Sequence, residues 1–133
     1  MSKLQTQYAV STAESEYIGL SKAMLHVKGT IYLLEEIKKR FAPDIETVPK
    51  IHCKVFEDNS AALQLATKQR ITNRTRYYHV KWHWFWDKVI RPDNPNGIVE
   101  VLRVDTHNQK ADYLTKQPPR HVFENLRNMV QGW

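Results

Sequence analysis

Apolar positions recur at helical spacing through the first third of the chain, directly after a capping sequence. Ser11-Thr12-Ala13-Glu14 fits a capping box, in which the Ser11 side chain accepts a hydrogen bond at the helix start. The apolar residues that follow at helical intervals are Tyr17, Leu20, Met24, Val27, Ile31 and Leu34. The pattern predicts a long amphipathic helix over about residues 11–40, with this stripe in the core. Glu16 lies beside the stripe, where a carboxylate either pairs with a base or binds a cation.

Two further apolar segments predict strands. Ile51, Cys53 and Val55 alternate with polar residues, which predicts a strand over 51–57 with one buried face. Asp58 ends this strand, and Asn59 or the serine after it is expected to cap a helix over 60–68. Open α/β sheets place their chemistry at the carboxyl ends of strands, so Asp58 is a candidate site residue. Helix capping alone is the other interpretation of this acid and amide.

The second half of the chain predicts a basic aromatic helix over about 77–90, a strand over 98–104 and helices over about 107–130. Seven Lys or Arg and one acid lie between Lys68 and Arg91, among several aromatic residues. Such a segment suits a phosphate backbone, which cations position without reading its sequence. The cations expected on its solvent side are Arg70, Arg74, Arg76 and Lys81. The alternative is a solvated face that contacts nothing.

Composition narrows the class of protein. The chain of 133 residues fits one domain, and its 41% hydrophobic residues and four tryptophans indicate a globular fold. The net charge of +6 favours an anionic partner, nucleic acid first. We expect no membrane span and no targeting leader, and hence an intracellular protein, because no apolar run approaches about 18 residues. The single cysteine excludes an intramolecular disulfide framework.

Three acids on separate predicted elements suggest a metal site. Glu16, Asp58 and Asp112 each lie near the start of a predicted helix, and no nucleophilic serine or cysteine motif accompanies them. Carboxylate oxygens are the ligands that Mg²⁺ prefers, and two such ions can cleave a phosphodiester. A basic protein with clustered acids therefore fits a nuclease.

Five motifs carry a resemblance to a known family. They are Ser11-Thr12-Ala13-Glu14-Ser15-Glu16-Tyr17, Glu57-Asp58-Asn59-Ser60-Ala61-Ala62, Arg74-Thr75-Arg76, Val80-Lys81-Trp82-His83 and Gln109-Lys110-Ala111-Asp112-Tyr113-Leu114-Thr115-Lys116. In this order they resemble the ribonuclease H domain at the C-terminus of copia-type (Ty1/copia) retrotransposon polyproteins. The resemblance covers nearly the whole chain.

The resemblance implies roles for individual residues. Glu16, Asp58 and Asp112 would bind two Mg²⁺ or Mn²⁺ ions that cleave the RNA strand of an RNA–DNA hybrid. His107 would be a counterpart of the mobile histidine of some ribonucleases H. The residues implied to contact nucleic acid are Asn59, Arg70, Arg74, Arg76 and Lys81. An upstream reverse transcriptase region would be a further partner in a full polyprotein.

The chain also departs from the family pattern. The expected fold is α/β, a ribonuclease H-like mixed sheet with flanking helices, lacking the first two strands and the aspartate on the first of them. We expect the isolated chain to have little or no activity for this reason. A non-catalytic nucleic-acid-binding remnant and an inert relic of a degenerate element are the alternatives. An integrase, which shares the sheet topology, fits less well because it lacks the Gln109–Lys116 motif.

Overall fold

The computed structural model describes residues 11–42, 51–68 and 80–132. The arrangement is mixed α/β, with helices predominating around a small parallel sheet of two strands in the described residues. The helices and strands are α1 (Thr12–Phe41), β1 (Cys53–Glu57), α2 (Ser60–Lys68), β2 (Val99–Arg103), α3 (Asp112–Thr115) and α4 (Arg120–Gln131). Short 3-10 turns lie at Val80–His83, Trp86–Lys88 and Thr106–Asn108.

The amino-terminal half of α1 forms one wall of the core. The Ser11 side chain accepts a hydrogen bond of 3.2 Å from the Glu14 backbone N–H, as the capping sequence predicts. The apolar stripe is buried as far as Ile31. Leu34 was expected to continue it but is 43% exposed, because the contacts of α1 with the rest of the described core end one turn earlier. Other exposed apolar residues in the carboxyl-terminal half of α1 include Leu33, Ile37 and Phe41.

The two strands run parallel, with Cys53 opposite Val99 and Glu57 opposite Arg103. The Val104 backbone N–H donates to the Glu57 carbonyl at 3.2 Å and extends the pairing beyond the last strand residue. The carboxyl ends of both strands therefore lie at the same edge of the sheet, and the candidate acid Asp58 directly follows β1 at this edge. The core that packs against this sheet is built from α1, α2, β2 and the aromatic segment, which is residues 80–91. Its members include Tyr17, Leu20, Met24, Ala62, Leu65, Phe85, Val89, Val99 and Val101.

The continuous helix expected over 77–90 is wrong for its described part. Two 3-10 turns replace it, and Val89 then pairs with β2 as an extended residue. Successive side chains here are held by different elements. The Trp84 indole N–H donates to the Ser21 hydroxyl at 3.1 Å on α1, and the Trp86 indole N–H donates to the Leu65 carbonyl at 3.0 Å on α2. These tertiary contacts outweigh the weak helix preference of aromatic residues.

The turn before β2 needs a glycine. A Cβ placed on Gly97 would lie 2.5 Å from the Ile90 backbone nitrogen, closer than real contacts allow. The close approach lets the Ile90 N–H donate to the Val99 carbonyl at 2.8 Å. The Asn94 side-chain amide also donates to the Val89 carbonyl at 2.9 Å. The turn thus fixes the extended segment against β2.

The helices expected over about 107–130 are interrupted. The Asp105 carboxylate caps the first turn by accepting a hydrogen bond from the His107 backbone N–H at 2.9 Å. The 3-10 turn ends at Asn108, and α3 starts only at Asp112. The consequence for the site is that Asp112 is the first residue of its helix instead of an interior one.

Candidate carboxylate site

The candidate acids come from three separate elements. Asp58 follows the last residue of β1, Asp112 begins α3 and Glu16 lies in the second turn of α1. Asp112 is buried, and the other two side chains are half-buried. The negative charges of all three raise the pKa of the Lys116 ammonium group, which contacts Asp112.

Lys116 lies directly against Asp112. Its Nζ is 2.9 Å from Asp112 Oδ1 and 3.0 Å from Oδ2, so both carboxylate oxygens are engaged. The hydrogen bond to Asp112 is the main cause that raises the pKa of Lys116, and the negative charges of Asp112, Asp58 and Glu16 raise it further. The cation is thus stabilised by acids on three elements.

Glu57 is an acid of this site that the sequence reasoning did not assign. It ends β1 on the strand's inward face, is 6% exposed and accepts a hydrogen bond of 3.0 Å from the Asn59 backbone N–H. Burial is the main cause that raises the pKa of Glu57 to about 7. The hydrogen bond from the Asn59 N–H lowers this pKa, and so does the charge of Lys116. The negative charges of Glu16 and Asp58 raise it. The sequence pattern could have placed Glu57 on the buried face of β1, because residues two apart on a strand share a face and Glu57 follows Cys53 and Val55 at this spacing.

Asn59 has a structural role at the start of α2. Its side-chain oxygen accepts from the backbone N–H groups of Ala61 at 3.0 Å and Ala62 at 3.2 Å. These bonds satisfy donors that a helix start leaves unpaired. Asn59 is therefore the cap of α2, and it holds Glu57 through its own N–H. Its expected contact with nucleic acid stays a prediction.

His107 contacts Asp105 and lines a cavity together with one candidate acid, Asp112. Its side chain is 75% exposed, and its Nδ1 is 3.0 Å from the Asp105 carboxylate. The pKa of Asp105 is lowered mainly by the hydrogen bond from the His107 backbone N–H, and further by the hydrogen bond from the His107 ring. His107 also lines a cavity of about 400 Å³ that is shared with Asp112 and Lys116. The ring therefore stands at the wall of the candidate site.

The expected nucleic-acid contacts are only partly described. Arg70, Arg74 and Arg76 lie outside the described residues. Lys81 is exposed, and its Nζ lies 4.7 Å from the centroid of the Trp82 ring. Two lysines of α1 that the sequence reasoning missed also lie over tryptophan rings. They are Lys22, 5.9 Å from the Trp82 centroid, and Lys28, 5.7 Å from the Trp84 centroid. These lysines and tryptophans form an aromatic basic face.

A buried hydrogen bond anchors α1 next to Glu16. The Tyr17 hydroxyl lies 2.7 Å from His83 Nδ1, and both side chains are buried. Burial raises the pKa of Tyr17 and lowers the pKa of His83, so each is held neutral. The His83 ring stacks 4.1 Å from the Trp86 ring, which joins this anchor to α2. The turn of α1 that carries Glu16 is fixed by these contacts.

The donor chemistry of the site fits a hard divalent cation. Glu16, Glu57, Asp58 and Asp112 offer the carboxylate oxygens that Mg²⁺ and Mn²⁺ prefer. Among the residues that the structure describes, no three His, Cys, Asp or Glu side chains are grouped closely enough to hold a metal ion as they stand. The positive charge near these acids is the Lys116 ammonium group.

Comparison with known proteins gives the class of chain that this one resembles. No family model matches it, and no solved structure matches it. It is 33% identical over 129 residues to the retrovirus-related Pol polyprotein from transposon TNT 1-94 of Nicotiana tabacum. It is 28% and 27% identical to the corresponding polyproteins from transposons RE1 and RE2 of Arabidopsis thaliana.

These matches cover 97% of this chain but only 9%, 8% and 8% of the three polyproteins. The chain spans less than a tenth of the length of the curated relatives that it matches. The expected retrotransposon origin is confirmed at this level: the chain is homologous to a short region of retrovirus-related Pol polyproteins from copia-type transposons. No helix in the described residues is long and apolar enough to cross a membrane.

Proposed function

We propose that this chain is part of a ribonuclease H-like domain, whose ancestral activity is hydrolysis of the RNA strand of RNA–DNA hybrids. The observation that carries the proposal is the placement of Asp58 directly after β1, Asp112 at the start of α3 and Glu16 in the second turn of α1, the positions at which the resemblance expects the carboxylates. These acids are far apart in sequence and coincide with the motifs that resemble the family. The homology to transposon Pol polyproteins supports the same origin.

The residues of the chain would divide the work as follows. Glu16, Asp58 and Asp112 would hold two Mg²⁺ or Mn²⁺ ions, which when bound activate a water and stabilise the leaving oxygen of a phosphodiester. Glu57, with a pKa of about 7, holds or releases a proton beside them at neutral pH. His107 stands at the wall of the adjoining cavity, within reach of solvent.

We propose in addition that the 133-residue chain by itself has little activity. The first-strand aspartate that the resemblance implies has no matched residue among the five motifs. Asp112 is also engaged through both oxygens by Lys116. A two-metal site loses much of its rate when one bridging carboxylate is missing, since the ions are then poorly positioned.

The test is single-turnover cleavage of an RNA–DNA hybrid labelled on the RNA strand, with protein in excess over substrate. We expect little or no cleavage by the natural chain, and any residual cleavage should be of the RNA strand only and should depend on Mg²⁺ or Mn²⁺. Readily detectable cation-dependent cleavage would contradict the proposed low activity. Asp58→Asn should abolish any residual cleavage, whereas Asp87→Asn should leave it unchanged, because Asp87 is an exposed residue of the aromatic segment. Cleavage that survives Asp58→Asn or requires no divalent cation would contradict the proposal.

A non-catalytic nucleic-acid-binding role is the second candidate, and the aromatic basic face favours it. Lysines held over indole rings present both charge and stacking surface, as proteins that bind single strands or hybrids do. The assay is fluorescence anisotropy with a labelled hybrid in EDTA at several salt concentrations. Loss of affinity in Lys28→Met and Lys81→Met, with Lys54→Met on β1 as the control, would favour this role. Equal affinity in all three variants would exclude the face as the binding surface.

A further inference from the structure

We propose that Lys116 is a tethered counter-cation of the carboxylate site, which competes with a divalent cation for Asp112 and withdraws when that cation binds. The inference rests on the proposed function, because it takes the carboxylates to be ligands of Mg²⁺ or Mn²⁺. It goes beyond that function by giving a role to a residue that is not itself a metal ligand.

The contact between Lys116 and Asp112 is built into the short helix α3. Asp112 is the first residue of this helix, and Lys116 directly follows its last residue. The Lys116 backbone N–H donates to the Asp112 carbonyl at 3.0 Å, while its Nζ lies within 3.0 Å of both carboxylate oxygens. Acid at the start and cation at the end of one turn also suit the helix dipole.

A second ion pair of the same spacing shows what an ordinary pair looks like here. Arg120 and Glu124 on α4 are four residues apart and 2.8 Å from each other, but the Arg120 side chain is 92% exposed. The Asp112 side chain, in contrast, is 11% exposed, and the charges of Asp58 and Glu16 act on Lys116 as well. Lys116 thus contacts a nearly buried carboxylate, whereas the α4 pair is a surface contact of small energetic value.

The structure also leaves room for Lys116 to withdraw. A cavity of about 400 Å³ lies beside the pair and is lined by both residues together with Gln117 and His121. The Lys116 side chain is half exposed, so its long stem can turn into this space without crossing the core. A divalent cation on Asp112 would repel the ammonium in that direction.

The energetic consequence is competition. Both cations need the same two oxygens of Asp112, so binding one requires displacing the other. Charges at contact distance in a partly buried site interact strongly, and salt screens them little. The ammonium should therefore lower the affinity of the site for Mg²⁺ and stabilise the metal-free protein.

The experiment is isothermal titration calorimetry of the full chain with MgCl₂ and MnCl₂. Lys116→Met removes the charge and keeps an unbranched stem, and we expect it to bind both cations at least about tenfold more tightly than the natural chain. Lys116→Arg keeps the charge and should retain weak binding. Lys110→Met, at an exposed position two residues before α3, is the matched control and should leave affinity unchanged.

A measurement on the natural chain covers the case in which Lys116→Met does not fold. Limited acetylation of amines, read by mass spectrometry, reports how accessible each lysine is. Saturating Mg²⁺ should raise the labelling of Lys116 several-fold and leave Lys110 unchanged, as expected for release of a paired ammonium. Unchanged labelling of Lys116 at a Mg²⁺ concentration that calorimetry shows to be saturating would overturn the inference.

The outcomes separate this inference from the proposed function. Equal cation affinity in the natural chain and Lys116→Met would overturn the inference and leave the proposed function standing. Tighter binding in Lys116→Met together with cleavage of a hybrid that requires no divalent cation would support the inference and count against the proposed function. Absence of binding in both proteins would overturn both, because the carboxylates would then not be a divalent-cation site.

Discussion

The buried acid at the end of β1 gives the sharpest test of the electrostatics of the site. Glu57 is 6% exposed and lies near two other acids, so its ionised form is poorly accommodated in the fold. Glu57→Gln removes the charge and keeps an oxygen that can accept from the Asn59 N–H. We therefore expect the substitution to stabilise the protein at high pH, although it removes a natural side chain.

The sign and size follow from the pKa. Because folding raises the pKa of Glu57 from the ordinary 4.5 to about 7, the folded state holds its proton longer than the unfolded state does. Stability should fall as the pH rises from about 4.5 and level off above about 7. The full displacement corresponds to about 3 kcal/mol as an upper value, and rearrangement near Lys116 brings the expected gain for Glu57→Gln at pH 8 to about 1–3 kcal/mol.

The assay is urea unfolding of both proteins between pH 4 and pH 8, in EDTA. At pH 4 the two should agree within about 0.5 kcal/mol, because Glu57 is then protonated in both states. Glu36→Gln, at an exposed position of α1, is the control and should follow the natural chain throughout. A constant difference across this range, or a carboxyl titration of Glu57 centred near 4.5 by NMR, would refute the reasoning.

Three further substitutions test the packing, each measured as the free energy of unfolding in urea. Tyr17→Phe removes the buried 2.7 Å bond to His83 and should cost about 1–2 kcal/mol; no loss would mean that water replaces the hydroxyl. Gly97→Ala puts a methyl 2.5 Å from the Ile90 nitrogen and should cost about 1–3 kcal/mol; an unchanged free energy of unfolding would contradict this close approach. Asn59→Ala should cost about 0.5–2 kcal/mol by removing the cap of α2, whereas Asn59→Ser, which keeps a capping oxygen without adding a charge, should cost little; equal losses would exclude capping.

Local patterns predicted the elements whose conformation is decided locally. The helix over 60–68 is found at Ser60–Lys68, and the first helix, expected over 11–40, is Thr12–Phe41. Periodicity and capping decide both. The aromatic segment could not be predicted this way, because its path depends on acceptors far away in sequence. Trp84 and Trp86 donate to Ser21 and Leu65, 63 and 21 residues away, and no local pattern records those pairings.

In the candidate site, too, local sequence pattern indicated some residues, whereas others are recognised only from three-dimensional contacts. Glu16, Asp58 and Asp112 were predicted because each stands at a recognisable position near a helix start or strand end. Glu57 lies inside the predicted strand over 51–57 and was not assigned to the site, although strand alternation places it on the inward face. Lys116 was overlooked because the helix expected around Asp112 gave no reason to distinguish one lysine from its neighbours. Only the three-dimensional contact identified it.

Glu57 and Lys116 are the two site residues that the sequence did not predict, and the charge of Lys116 affects the pKa of Glu57. A buried carboxyl near other acids costs stability once ionised, and a nearby cation offsets part of that cost. Lys116 lowers the pKa of Glu57, while Asp112, Asp58 and Glu16 raise the pKa of Lys116. Acids that served only the fold would be more stable dispersed into solvent than gathered at one sheet edge. The presence of Asp112 and Glu57 near the Lys116 ammonium group is the physical reason why we propose a cation-dependent function rather than a purely structural role.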